Sequence, residues 1–170
     1  LAHDEDKAWI GGPGMNTLGW LAGGKDLYFQ SERTGWSHLY TVSSEGGEQK
    51  ALTSGNWEVN AVRISDDKST FYLTTSEGSP HEQHIYAVSA TGGARRKLTS
   101  SPGAHELTLS PDEKWIADIH SYTNRPPELY VQENRDGAGA SARKLTDSPS
   151  PEFATYNWLD VPIVHFTARD

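Results

Sequence analysis

His84-Ile85-Tyr86-Ala87-Val88, followed by Gly92-Gly93 and then Lys97-Leu98-Thr99-Ser100, is the stretch that decides the fold, because it occurs three times. An earlier copy reads His38-Leu39-Tyr40-Thr41-Val42, Gly46-Gly47, Ala51-Leu52-Thr53-Ser54-Gly55. A later one reads Glu128-Leu129-Tyr130-Val131, Gly137, Lys144-Leu145-Thr146-Asp147. Tyr40 and Tyr86 are 46 residues apart, and Tyr86 and Tyr130 are 44 apart. That period is close to the ~40–45 residues of a unit in which four short strands make one small sheet.

A second half-motif precedes each copy. It reads Trp20-Leu21-Ala22-Gly23-Gly24-Lys25-Asp26-Leu27-Tyr28-Phe29, then Arg63-Ile64-Ser65-Asp66-Asp67-Lys68-Ser69-Thr70-Phe71-Tyr72-Leu73, then Leu109-Ser110-Pro111-Asp112-Glu113-Lys114-Trp115-Ile116-Ala117. Trp158-Leu159-Asp160-Val161-Pro162-Ile163-Val164-His165-Phe166 reads as a fourth, incomplete copy. Each has turn chemistry at its centre: proline presets φ, and Ser or Asp closes the turn through its side chain. The flanking runs are short and rich in aromatic and β-branched residues, as strands are. The Gly-Gly pairs supply the positive φ of the next hairpin. Leu-Thr reads as the end of each unit, with Leu buried at the outer edge and Thr starting the crossing to the next. No sustained 3.6-residue apolar period exists, so no helix longer than a turn is expected.

The expected fold is therefore all-β: an incomplete β-propeller arc of about three four-stranded antiparallel blades with partial flanking strands. Residues 1–15 read as the end of a preceding blade (Ala8-Trp9-Ile10) and a loop. Residues 16–154 hold the three blades, at about 16–55, 57–102 and 105–149. Residues 155–170 read as a partial blade or an exit strand. The chain has 170 residues, opens on Leu1-Ala2-His3 without an initiator Met, and reads as a piece of a longer one. Three blades do not close a ring, and open blade faces are expected to draw copies together or leave the isolated chain marginally stable.

Composition narrows the function. A formal net charge of −8 argues against nucleic acid as a partner, since phosphate binding needs concentrated Lys and Arg. No apolar run approaches the ~20 residues that span a bilayer, and the acidic balance suits an anionic membrane poorly. There is no cysteine, hence no disulfide and no thiolate metal site.

Ser31-Glu32-Arg33-Thr34-Gly35-Trp36-Ser37-His38-Leu39-Tyr40 resembles a signature blade of the dipeptidyl peptidase IV propeller, in the prolyl oligopeptidase family of serine peptidases. Gly55-Asn56-Trp57-Glu58-Val59 follows at the family's spacing, and Tyr156-Asn157-Trp158-Leu159-Asp160 through Phe166-Thr167-Ala168-Arg169-Asp170 resembles its exit from propeller to hydrolase domain. Leu98-Thr99 and Ser110-Pro111-Asp112 are shared more widely, TolB-like propellers included. The resemblance implies a non-catalytic segment that gates and positions peptide substrates for a hydrolase domain of the parent chain. It also implies a periplasmic or secreted setting. The alternative is a TolB-like propeller scaffold for protein–protein interaction, and a sugar-active propeller would need paired acids on its channel.

No Gly-x-Ser-x-Gly elbow occurs, so no catalytic residue is assigned, and no metal or cofactor is expected. The family's paired glutamates for the substrate amine have no match here. His81-Glu82-Gln83-His84 reads as a solvated hairpin loop rather than a metal site. Gly11-Gly12-Pro13-Gly14 reads as a plain loop, lacking the Lys-Ser/Thr of a phosphate loop. Candidate binding residues are Glu32 and Arg33, at a chamber mouth or in an ion pair that fixes the loop before Gly35-Trp36. Glu58 and Glu106 are candidates on inner strands, where they would either give the channel negative potential for cationic peptide ends or close inter-blade hydrogen bonds. Trp57-Glu58 and His105-Glu106 read as equivalent positions.

Overall fold

The computed structural model describes residues 3–8 and 11–169, so Trp9 and Ile10, read above as the end of a preceding strand, lie outside it. Among the described residues twelve strands form three antiparallel sheets of four. The first sheet has β1 Leu18–Trp20, β2 Asp26–Ser31, β3 His38–Ser43 and β4 Lys50–Ala51, in that spatial order. The second has β5 Val59–Ile64, β6 Thr70–Thr75, β7 His84–Ser89 and β8 Arg96–Lys97. The third has β9 Ala104–Leu109, β10 Trp115–Tyr122, β11 Arg125–Glu133 and β12 Arg143–Lys144. Helical structure among the described residues is limited to 3-10 turns at Ala138–Ser141 and Phe153–Thr155. The arc is open, and its three units are the three sequence repeats.

Strand alternation explains the stacking. In β6, Phe71 and Leu73 point to the first sheet, where they join Leu39, Trp57, Val59 and Val88 in one buried cluster. Tyr72 points the other way and meets Ile85, Ala87 and Leu98 with Leu109 and Ile116 of the third sheet. The middle sheet is thus apolar on both faces, as a sheet covered twice must be. The third sheet turns Ile116, Asp118 and His120 inward and leaves Trp115, Ile119 and Leu145 exposed on its outer face. The Tyr28 ring crosses the first seam to meet Phe71 edge-on at 4.9 Å.

The turn motifs fold as their chemistry dictates. The Ser65 hydroxyl donates to Asp67 Oδ1 at 2.6 Å, and the Ser69 amide donates to the same oxygen at 2.9 Å. Ser110 and Lys114 repeat the pattern on Asp112, at 2.7 and 3.2 Å. The residue after each carboxylate, Lys68 or Glu113, takes a left-handed φ of 59° or 55°.

The end of each repeat does something different from the expected crossing. Thr53 Oγ1 accepts the Leu39 amide at 3.0 Å and lies 3.1 Å from His38 Nδ1. Thr99 does the same for Ile85 and His84, at 3.1 and 3.0 Å. Thr146 accepts the Leu129 amide at 2.9 Å and donates to Glu128. So Thr is a clasp that ties the end of the two-residue fourth strand to the third strand, at His38, His84 or Glu128 and the amide that follows. At His38 and His84 the other ring nitrogen, Nε2, faces an acceptor, Gly55 O and Glu82 Oε2 respectively, which leaves Nδ1 to meet the Thr hydroxyl. In the third clasp, the Thr146 hydroxyl, with the Ser148 amide and hydroxyl and the Lys144 ammonium, holds the Glu128 carboxyl down at about 2. That clasp's contribution to stability is complete above the ordinary Glu range and is lost progressively as pH falls from there to about 2. Replacing Thr53 with Val keeps the shape but strands the buried Leu39 amide and His38 Nδ1, and should cost about 2 kcal/mol in urea unfolding. An unchanged midpoint would show that the clasp is ornamental.

Candidate functional site

The signature segment sits where β2 ends. Arg33 lies over the rings of Phe29 and Tyr40, 5.4 and 4.8 Å from their centroids, and those rings are cross-strand partners stacked at 5.7 Å. From that platform its Nε donates to Ser31 Oγ at 2.9 Å, and its Nη2 donates to Asp4 Oδ1 at 3.0 Å. The Ser31 hydroxyl donates to the other Asp4 oxygen at 2.6 Å. Ser31 and Arg33 therefore grip one carboxylate together, and the ion pair ties the turn that carries Arg33 to the segment around Asp4. The guanidinium also bonds Gln49.

Between that segment and the seam of the first two sheets lies an open cavity of about 780 Å³, walled by Asp4, Glu32, Arg33, Ser37 and Glu58 with the loop at Gly12. Its floor is a hydrogen-bonded net. Gln30 Nε2 donates to Val59 O at 2.7 Å and to Ser37 Oγ at 3.1 Å. Gln30 Oε1 accepts the Thr17 hydroxyl at 2.6 Å, and the Ser37 hydroxyl donates to Pro13 O at 2.8 Å. Glycines let the loop come this close. A Cβ on Gly12 would stand 1.6 Å from Glu32 Oε1, and one on Gly14 would stand 1.9 Å from Gln30 Oε1. The Gly11–Gly14 loop is thus a wall of the cavity, a role no spacing rule in the sequence signals.

Glu58 precedes β5 and accepts the Ser37 amide on Oε2 at 2.5 Å, while its own amide donates to Ser76 Oγ at 2.9 Å. It closes an inter-blade hydrogen bond and faces the cavity at once. Glu32 differs. Its half-buried carboxylate takes no hydrogen bond among the described residues. Partial burial first, then the carboxylates of Glu58 and Asp4, push its carboxyl above the ordinary Glu range. Two cavity carboxylates thus face each other, and among the described residues only Glu58 has a donor.

Glu106 is elsewhere, exposed in the middle of β9 opposite Ile119. Its expected equivalence with Glu58 does not hold. The residues that match are Val59 and His105, whose amides donate to Ser37 O at 2.9 Å and Gln83 O at 3.1 Å of the preceding sheet. Glu58 lies one residue before that bond and Glu106 one residue after it. Nor is His84 in a solvated loop. It is 3% exposed, bound to Thr99 and Glu82, because the seam of the second and third sheets closes over it. His105 lies 2.7 Å from Asp118, but its other nitrogen donates to the Ser101 carbonyl oxygen at 2.8 Å, so this pair activates no nucleophile.

Residues 1–127 match the model of the dipeptidyl peptidase IV (DPP IV) N-terminal region. The chain belongs to that family. Dipeptidyl peptidase 4 of Arthroderma otae is 44% identical over 54 residues, 31% of this chain and 7% of that protein. A probable dipeptidyl peptidase 4 of Aspergillus flavus is 41% identical over 59 residues, 32% of this chain and 8% of its own. The crystal structure of Porphyromonas gingivalis dipeptidyl peptidase 4 superposes with a TM-score of 0.63 at 26% identity, covering 79% of this chain and 18% of that one. The matches therefore span less than a fifth of these relatives, and they place the three sheets in a peptidase propeller of the DPP IV N-terminal type.

Proposed function

We propose that this propeller segment receives the cationic end of a peptide in the cavity between Glu32 and Glu58 and positions it for a hydrolase domain of the parent enzyme. The observation that carries the reading is the Glu32 carboxylate, without a hydrogen-bond donor among the described residues and pressed by two neighbouring carboxylates. A peptide ammonium is the ligand that relieves such repulsion, since it supplies several N–H donors and one positive charge. The Asp4–Arg33 pair fixes the outer wall, so the same segment limits access. In this reading residues 16–154 are the blades and residues 155–170 lead toward the hydrolase. Residues 157–169 belong to no strand or helix of the described chain.

The test is the double variant Glu32→Gln/Glu58→Gln in the parent enzyme. The expected result is a rise of about thirtyfold in KM for peptides with a free amino terminus, because Gln keeps an acceptor and forfeits only the charge assistance, about 1 kcal/mol at each residue. Peptides whose terminus is acetylated should be turned over as before. Equal kinetics on both substrate sets would reject the cavity as the amine site.

A further inference from the structure

His38 and His84 occupy the same place in successive sheets, but what covers them differs. At the first seam the His38 ring meets the Trp57 indole edge-on at 4.8 Å. At the second seam His84 meets a second imidazole, His105, at 5.3 Å, and His105 stacks on a third, His120, at 4.4 Å with the planes 8° apart. Tyr130 closes the column, 5.5 Å from His120. The three imidazoles are 3%, 2% and 8% exposed.

Every element packed on the column contributes a polar or charged group. Glu82, just before β7, accepts from His84 Nε2 at 2.8 Å, and Lys97 of β8 acts on His84 at longer range. Asp118 of β10 lies 2.7 Å from His105 Nδ1, and its other oxygen is buried with no hydrogen bond. His120 Nε2 donates to Pro102 O at 2.9 Å. Glu128 of β11 is the cross-strand partner of His120, already engaged by Thr146 and Ser148. Two carboxylates thus serve the first two rings, and the third has a carbonyl.

We propose that this column makes the joint between the second and third sheets acid-sensitive, closed while no two neighbouring rings are charged and loosened as a further proton enters, with the single-imidazole first seam as its internal reference. Like charges 4.4–5.3 Å apart in a buried column repel strongly. Burial first, then Lys97 and His105, hold His84 below the ordinary His range, against the opposing pull of Glu82. An opened joint therefore takes up the proton more readily than a closed one. Stability from the joint is complete above about pH 6.5 and is lost as pH falls below it.

The test is amide hydrogen exchange on the full chain, corrected for intrinsic rate, between pH about 7.5 and about 5.5. The amides of Gln83 and His105 report the second seam, and that of Val59 reports the first. Protection at the second seam should fall about tenfold more than at Val59. His120→Phe keeps a ring between His105 and Tyr130 without a charge, and His120→Gln keeps a donor toward Pro102. Either variant that folds should reduce the difference to less than about threefold. An equal fall at both seams, no fall, no protection at the starting pH, or a difference that survives in the folded variants would overturn the proposal.

Discussion

Replacing Phe71 with alanine should lower unfolding free energy by about 3–5 kcal/mol, a large share of the ~5–15 kcal/mol that holds a typical domain together. Phe71 is fully buried in the cluster that joins the first two sheets, and the Tyr28 ring rests on its edge. Truncation leaves a cavity that two facing sheets cannot collapse into without losing their stacking distance. The control is Trp115→Ala, a change of comparable size at a ring that is 46% exposed on the outer face of the third sheet. It should cost less than about 1 kcal/mol. Denaturant midpoints at constant m-value read both. Equal losses would mean that the sheets do not share a core.

Gly103→Ala should be nearly as damaging, with its effect centred on the second seam. Gly103 has φ +126°, and an added Cβ would lie 2.1 Å from the Ser121 carbonyl oxygen and 3.1 Å from His120 Nε2. The nearer atom is backbone in the adjacent strand, so relief requires β9 to move away from β10. The conformational strain alone is of order 1–3 kcal/mol, and the displacement brings the expected total to about 3 kcal/mol or more. Gly93→Ala separates the two contributions. That glycine also has a positive φ, +114°, but nothing lies within 4 Å of an added Cβ. Its loss should be only about 1 kcal/mol, from backbone conformation. A Gly103→Ala variant no less stable than Gly93→Ala would refute the close approach of β10.

The repeats were legible because each carries its own local chemistry. Ser110-Pro111-Asp112 closes a turn on itself, and Thr99 reaches only 15 residues back to His84. The two-faced middle sheet follows from alternation within Thr70–Thr75. The candidate site was less legible. Asp4 meets Arg33 across 29 residues and Ser31 across 27, and no periodicity connects those positions. Glu58 and Glu106 looked equivalent because counting residues ignores the main-chain bond that sets the true alignment. His84 looked like a loop residue because the sequence around it is polar, whereas its burial comes from His105, a residue of the next blade. Trp158–Phe166, read as an incomplete fourth copy of the half-motif, carries no strand in the described structure. Trp158, Leu159, Val161, Ile163, Val164 and Phe166 are all exposed there.

Each outermost strand contributes only two residues of ladder, and the threonine bond does the rest of the fastening. From Tyr40 to Leu52 and from Tyr86 to Leu98 the chain takes 12 steps, yet from Tyr130 to Leu145 it takes 15, and the surplus coils into the short turn at Ala138–Ser141. The fastening is the same in all three. The rim of such a fold is therefore a place where length can vary freely between descendants, since one hydroxyl restores alignment however long the excursion before it.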